Sequence, residues 1–226
     1  MLTITGPEAR HISRVMRHEV GNVIGVVDGA GQEQQVELTA VTAARVAGRV
    51  LDSRRGAREP KHRVAIAQAV LKGDHLAHVC AQATELGVSR VIPFLSARTV
   101  GRLSAVKLDR LRAVSLAALK SSTRTVLPTI DAPVEFSRLL KQDGEFDQVL
   151  VAYEEYAGAG LGAVLRRDAE SVLVVIGPEG GFEPSEIEAL KATGAKSFTL
   201  GPRRLRAETA AVAVATMTLG LLGDLG

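Results

Sequence analysis

From Arg63 onward, short apolar runs alternate with longer amphipathic or Ala-rich stretches, and this rhythm constrains the fold more than any other feature. Residues 64–70 read as a buried strand, followed by a helix over 74–86 with Gly87 as its C-terminal stop. Further strands are expected at 91–95, 148–153, 172–176 and 197–200. Helices are expected over 104–120, near 162–167, over 184–193 and over 206–222, with Pro184 in a first turn and Gly194 past a last one. Strands alternating with helices predict a mostly parallel sheet covered on both faces.

The residues before Arg63 follow a different period. Val23-Ile24-Gly25-Val26-Val27 runs into the turn signal Asp28-Gly29-Ala30-Gly31, residues 36–41 alternate with period two, and 46–51 is a further strand candidate. A short helix is expected over 7–18, carrying Arg10, His11, Arg14, Arg17 and His18. The basic segment 53–60, with Gly56 and Pro60, reads as a linker. The expected organisation is a β-rich domain over 1–58 and an α/β domain over 59–226.

Composition removes several classes. Aromatic residues are 3%, with no Trp, which argues against an aromatic platform for stacking bases. One Cys excludes an intrachain disulfide framework and fits a reducing compartment. Glu8, Arg10 and His11 interrupt the start, so no signal peptide is expected. The longest apolar run, 210–222, falls short of the roughly 20 residues a membrane span needs. A soluble, cytoplasmic protein is expected, with no membrane partner. Net charge is only +3, but bases cluster over 45–63 and over 98–124, the latter including Arg98, Arg102, Arg110 and Arg124. Such clusters suggest a polyanionic partner, although solvated helix faces and a linker would give the same pattern.

Two segments begin where an expected strand ends. One is Ile176-Gly177-Pro178-Glu179-Gly180-Gly181-Phe182; the other is Leu200-Gly201-Pro202-Arg203-Arg204-Leu205-Arg206-Ala207-Glu208-Thr209-Ala210. Ligands of open α/β sheets sit at the carboxyl ends of strands, and glycine there admits close backbone approach. Neither segment matches a dinucleotide fingerprint, a P-loop or a nucleophile elbow. His75, His78 and Cys80 share one expected helix, but Cys80 falls on the stripe Leu76, Val79, Cys80, Ala83, so it reads as a core thiol and no metal site is expected.

GPEGGF with Glu186 following, then LGPRRLRAETA, resembles the SPOUT-class RNA methyltransferases of the 16S rRNA (uracil-N3) type, the RsmE family. His11 to Arg17 with Gly21, Lys72-Gly73-Asp74, and Thr84-Glu85-Leu86-Gly87-Val88 resemble that family's pattern in the same order, as do Arg98 and Arg124. The resemblance implies a SPOUT-type α/β domain with a C-terminal trefoil knot, preceded by a small PUA-like β-barrel that binds RNA. It also implies a homodimer, S-adenosylmethionine as cofactor, and 16S rRNA of the small ribosomal subunit as substrate. On this chain the implied cofactor residues are Ile176, Gly177, Gly180, Gly181, Leu200, Gly201, Leu205, Thr209 and Ala210. Those implied or suggested for RNA are Arg10, His11, Arg14, Arg17, Arg98, Arg124 and Arg203, with Arg54, Arg55 and Arg58 as backbone contacts. Departures are a start almost at Gly6-Pro7, without the family's first strand, and Gln82, Ser121 and Arg204 at positions where other residues are usual.

Methylating uracil N3 requires loss of the imide proton and spreads negative charge onto O2 and O4. A sulfonium methyl donor is already activated, so no metal is needed. The site should then offer a cation or backbone N–H groups near the carbonyl oxygens and a carboxylate as base. Arg206 and Glu208, opening the last helix, are the candidates, although an acidic residue in a first helical turn is also favourable through the dipole alone. Glu179 reads as structural. Ribose 2′-O-methylation by the same fold, and a non-catalytic ribosome-assembly factor, remain the alternatives.

Overall fold

The computed structural model describes residues 1–101 and 104–225, so Arg102, counted in the second basic cluster, lies outside the described residues. The chain divides into one unit of Met1–Glu59 with Arg124–Val126 and another of Pro60–Thr123 with Leu127–Gly226.

In the first unit, β1 (Leu2–Thr5), β2 (Val23–Val27), β3 (Gln32–Val41) and β4 (Arg45–Arg55) form an antiparallel sheet in the order β1-β4-β3-β2. Period-two exposure along β1 turns Leu2 and Ile4 toward a core of Ala9, Ile12, Val36, Leu38 and Val46. This strand corrects the expectation that the chain lacks one before Gly6. It is only four residues long and two of them are threonines, so it carries little apolar signal. The linker expected over 53–60 begins later, because β4 continues through Arg55, paired with Gln32, while the division between the units falls at Glu59 and Pro60. Charged side chains on a solvent-facing strand mimic a linker. Arg54 is paired with Asp52 at 3.0 Å and Arg58 with Glu33 at 2.5 Å.

The helix expected over 7–18 is shorter and uneven. α1 (Gly6–Arg10) passes into a wider π-type turn at His11–Val15, and Arg17 sits in the left-handed region at φ 55°. Arg10, His11, Arg14 and Arg17 are all exposed. The Asp28 turn forms as expected: its Oδ1 accepts the N–H groups of Ala30 at 2.7 Å and Gln32 at 2.9 Å.

Glu59 gathers the 124–126 segment. Its Oε2 accepts from Arg124 Nε at 3.1 Å and Nη2 at 2.7 Å, and its Oε1 from the N–H groups of Thr125 at 2.7 Å and Val126 at 2.9 Å. Burial alone would raise the Glu59 carboxyl, but the Arg124 guanidinium and these N–H groups outweigh it and hold the group below the usual carboxylate range. Arg124 is 4% exposed. The guanidinium expected to contact RNA is thus buried and bonded through two nitrogens to one carboxylate oxygen.

The second unit runs β5 (Arg63–Ala69), α2 (His75–Leu86), β6 (Arg90–Leu95), α3 (Ala105–Ser121), β7 (Thr129–Ile130), β8 (Val134–Glu135), α4 (Phe136–Leu139), β9 (Gln148–Ala152), α5 (Leu161–Val164), β10 (Ser171–Ile176), α6 (Pro184–Ala192), β11 (Lys196–Phe198) and α7 (Ala207–Leu222). The strands form a sheet of order β11-β9-β10-β5-β6-β7, with β8 also beside β6, and every pairing is parallel. One face buries Leu76, Val79 and Cys80 of α2 with Ala211 and Val214 of α7; the other buries Phe182, with Ile187 and Leu190 of α6. The mostly parallel, doubly covered α/β sheet is therefore as expected. Cys80 is a core thiol, and burial pushes it up to about 12. No helix among the described residues is long and apolar enough to cross a membrane.

Candidate active site

The carboxyl ends of β9, β10 and β11 lie side by side, and the chain leaving them encloses a cavity of about 490 Å³. Its wall includes Tyr153 and Glu154 after β9, Ile176 to Glu179 after β10, Thr199 to Arg206 after β11, and the first turn of α7. Lys72 and His75, following β5, complete it. This is the place where a parallel sheet binds ligands, because strand-end loops converge there.

The loop after β10 is held by side chains whose purpose the sequence only half reveals. Gly181 donates its N–H to Pro178 O at 2.9 Å with φ at +72°, a turn that a Cβ would strain. Gly177 lies under the Phe182 ring, where an added Cβ would meet Cε2 at 3.0 Å; that ring stacks on Phe94 with centroids 6.3 Å apart. Glu179 Oε1 accepts the Lys72 N–H at 2.9 Å, which gives it the structural role expected of it. Buried Gln68 donates Nε2 to Gly177 O at 3.1 Å. Glu186 closes a capping box with Glu183 at the start of α6 and accepts the Ala97 N–H at 2.9 Å. The carboxylate four residues after Phe182 is thus part of the loop's fastening.

Arg98 belongs to this fastening as well. Its Nε donates to Glu183 Oε1 at 2.7 Å and its Nη1 to Gly180 O at 3.0 Å, and Glu183 raises the guanidinium above its ordinary range. Two nitrogens of this residue, expected to contact RNA, are thus engaged with protein, while its side chain stays 42% exposed.

Of the nine cofactor candidates, Ile176, Gly177, Leu200, Gly201, Leu205 and Ala210 line the cavity. Gly180 and Gly181 belong to the turn after β10 and Thr209 to the first turn of α7, where it is exposed, but these three do not line the cavity. Arg206 and Glu208 both line the cavity, as does Arg203. Arg203, Arg204 and Arg206 are exposed and have no ion-pair partner among the described residues. Glu208 Oε1 lies 3.3 Å from His75 Nδ1. No side chain caps the N-terminus of α7, leaving its first N–H groups without a side-chain acceptor beside the cavity.

Sequence reasoning did not select Lys72, His75, Tyr153, Glu154, Thr199 or Arg204 for this wall. Tyr153 and Glu154 follow a strand in the same sheet, so the strand-end rule alone would have found them had β9 been known to neighbour β10.

This architecture defines an RNA methyltransferase: residues 57–219 match the RNA methyltransferase domain family, and residues 4–51 the RNA methyltransferase PUA domain family. The ribosomal RNA small subunit methyltransferase E of Bacillus subtilis is 34% identical over 98% of this chain and 92% of its own length. The enzyme of the same name from Mycobacterium bovis is 31% identical over 97% and 86%. A crystal structure of that methyltransferase from Neisseria gonorrhoeae, bound to S-adenosyl methionine, is 25% identical and superposes with a TM-score of 0.88 over 97% of this chain and 92% of that one. The chain belongs to the ribosomal RNA small subunit methyltransferase E family.

Proposed function

We propose that this protein methylates N3 of a specific uridine in 16S rRNA, in the assembled small ribosomal subunit, using S-adenosylmethionine. The observation that carries the reading is the strand-end cavity, walled by two glycine loops and bordered by three guanidiniums without ion-pair partners among the described residues. Its volume falls within the few hundred Å³ of ordinary ligand sites. Main-chain groups of residues 176–178 and 200–201, with Leu205 and Ala210, suit an adenosine and its ribose, and the carboxylates of Glu154 and Glu179 suit a cationic ligand. When bound, the cofactor supplies a methyl group already activated by its sulfonium.

The chain's own residues manage the nucleobase. Glu208 takes the N3 proton, while Arg206 and the α7 N–H groups face the charge that grows on O2 and O4. Arg203 at the cavity, with Arg10, His11, Arg14 and Arg17 exposed on the first unit, supplies phosphate contacts. The first unit is the PUA-like barrel for RNA, the second the catalytic domain, and the segments after β10 and β11 form the trefoil knot of the SPOUT class. The protein works as a cytoplasmic homodimer, and the apolar side of α7 that exposes Met217 supports that assembly.

The test is methyl transfer from labelled S-adenosylmethionine to small ribosomal subunits from cells lacking the enzyme, followed by digestion and mass spectrometry. N3-methyluridine is expected. A 2′-O-methyl product would move the target atom, and no transfer with no cofactor binding would remove the enzyme reading. Glu208→Gln should slow single-turnover transfer by about 10²-fold or more, as loss of a general base does. Arg206→Ala should cost about 10²-fold with cofactor affinity little changed.

A further inference from the structure

The contact between His75 and Glu208 joins two helices at the mouth of the cavity. His75 occupies the first turn of α2 and Glu208 the first turn of α7, and these helices pack through Leu76, Val79, Ala83, Ala211 and Val214 in one core. Both residues line the cavity; the His75 side chain is 43% exposed and that of Glu208 18%. Nδ1 of His75 is 3.3 Å from Glu208 Oε1. The His78 ring stands edge-on to His75, with centroids 6.3 Å apart, and Asp74 is occupied by Arg110 at 3.0 Å. The residues preceding α7 on the cavity wall, Arg203, Arg204 and Arg206, are cationic.

A carboxylate acts as a base only where its oxygen meets the proton to be removed, and a glutamate has three side-chain torsions with which to turn away. Arginines on one side and open solvent on the other would draw Glu208 into many orientations. An imidazole anchored on a different helix limits that freedom, because the two helices are fixed to one another by a packed core.

We propose that His75 is a positioning residue for Glu208, holding its carboxylate toward the substrate uracil through Nδ1. This rests on the assignment of Glu208 as the base. His75 does not touch the nucleobase or exchange its proton in the reaction. The contacting nitrogen also predicts the conservative replacement: an asparagine amide nitrogen occupies nearly the position of Nδ1, whereas alanine leaves Glu208 without this partner.

Single-turnover methyl transfer to unmethylated small subunits would be compared for the wild-type protein, His75→Ala, His75→Asn, Glu208→Gln and the double variant His75→Ala/Glu208→Gln. Cofactor affinity would be measured by calorimetry and folding by thermal melting. His75→Ala should lower the rate about tenfold. Cofactor affinity should stay within about twofold, and His75→Asn should recover most of the rate. In the Glu208→Gln background, His75→Ala should have no further effect. The proposal is overturned if His75→Ala keeps the wild-type rate, slows both backgrounds equally, is not rescued by asparagine, or chiefly weakens cofactor binding; a slow Glu208→Gln would then still support Glu208 as base. If Glu208→Gln keeps the wild-type rate, the base assignment fails and the role of His75 fails with it.

Discussion

Arg124 and Arg98 carry the clearest message at the scale of single residues. Both carry the expectation of an RNA contact, and both are bonded within the protein: Arg124 to Glu59, 65 positions away, and Arg98 to Glu183, 85 positions away. A chain read in one dimension shows an arginine's charge but not the distant carboxylate that neutralises it. The Glu59–Arg124 pair has side chains only 11% and 5% exposed. Removing one partner of such a pair strands the other, so Glu59→Gln should destabilise the protein by about 3 kcal/mol, measured by urea or thermal unfolding. The Glu59 carboxyl is held below its ordinary value, so its contribution is present above the unfolded-state pKa of 4.5 and is lost as pH falls through the lower, folded-state value. The stability gap between wild type and Glu59→Gln should therefore narrow in acid below about pH 4.5. An equal gap at neutral and strongly acidic pH would show that the ionised carboxylate is not what stabilises this region.

Among elements, long periodic ones were the most legible. α2, α3, α6 and α7 appear within one or two residues of their expected bounds, because each is long enough for its run of helix-forming and apolar residues to stand out, and a glycine past the end marks the stop of α2, α6 and α7. The short elements were not: β7 and β8 have two residues each, and their pairing with β6 comes from tertiary packing rather than local preference. The loop after β10 was legible as a site but not as a mechanism of folding. Its fastening depends on Gln68 of β5, and on Lys72 and Arg98, which follow β5 and β6. Gly181→Ala puts a Cβ into the left-handed region and against the Glu154 carboxylate. It should cost about 1–2 kcal/mol of stability and weaken cofactor binding about tenfold, read by thermal melting and calorimetry. Unchanged affinity would mean that the loop relaxes without disturbing the cavity wall.

For the molecule as a whole, the division into a β-rich and an α/β part was readable from the change of period near Arg63, whereas strand order was not. Periodicity tells which residues face a core, and nothing in it says that β5, first of its sheet in sequence, lies between β10 and β6. Two predictions belong here. With the exposed Arg10, Arg14, Arg17 and Arg203 in the proposed role of phosphate contacts, RNA binding should be salt-dependent, and each Arg→Gln change should lower the slope of log affinity against log salt by about one. Met217, 41% exposed on α7, should support the proposed homodimer, so Met217→Glu should shift sedimentation toward a monomer. A variant that sediments as the wild type would place the dimer interface elsewhere.

The central place of β5 has a consequence for the chain while it is being made. Gln68 on β5 and Ile176 on β10 are register partners 108 residues apart, so on the ribosome one edge of a buried, mostly apolar strand waits unpaired through the synthesis of half the protein. Such an edge is a template for mispairing between nascent chains. The chain is thus among those whose birth should lean on chaperones at the tunnel exit, and fast translation at elevated temperature should drive it toward inclusion bodies rather than toward slow but soluble folding.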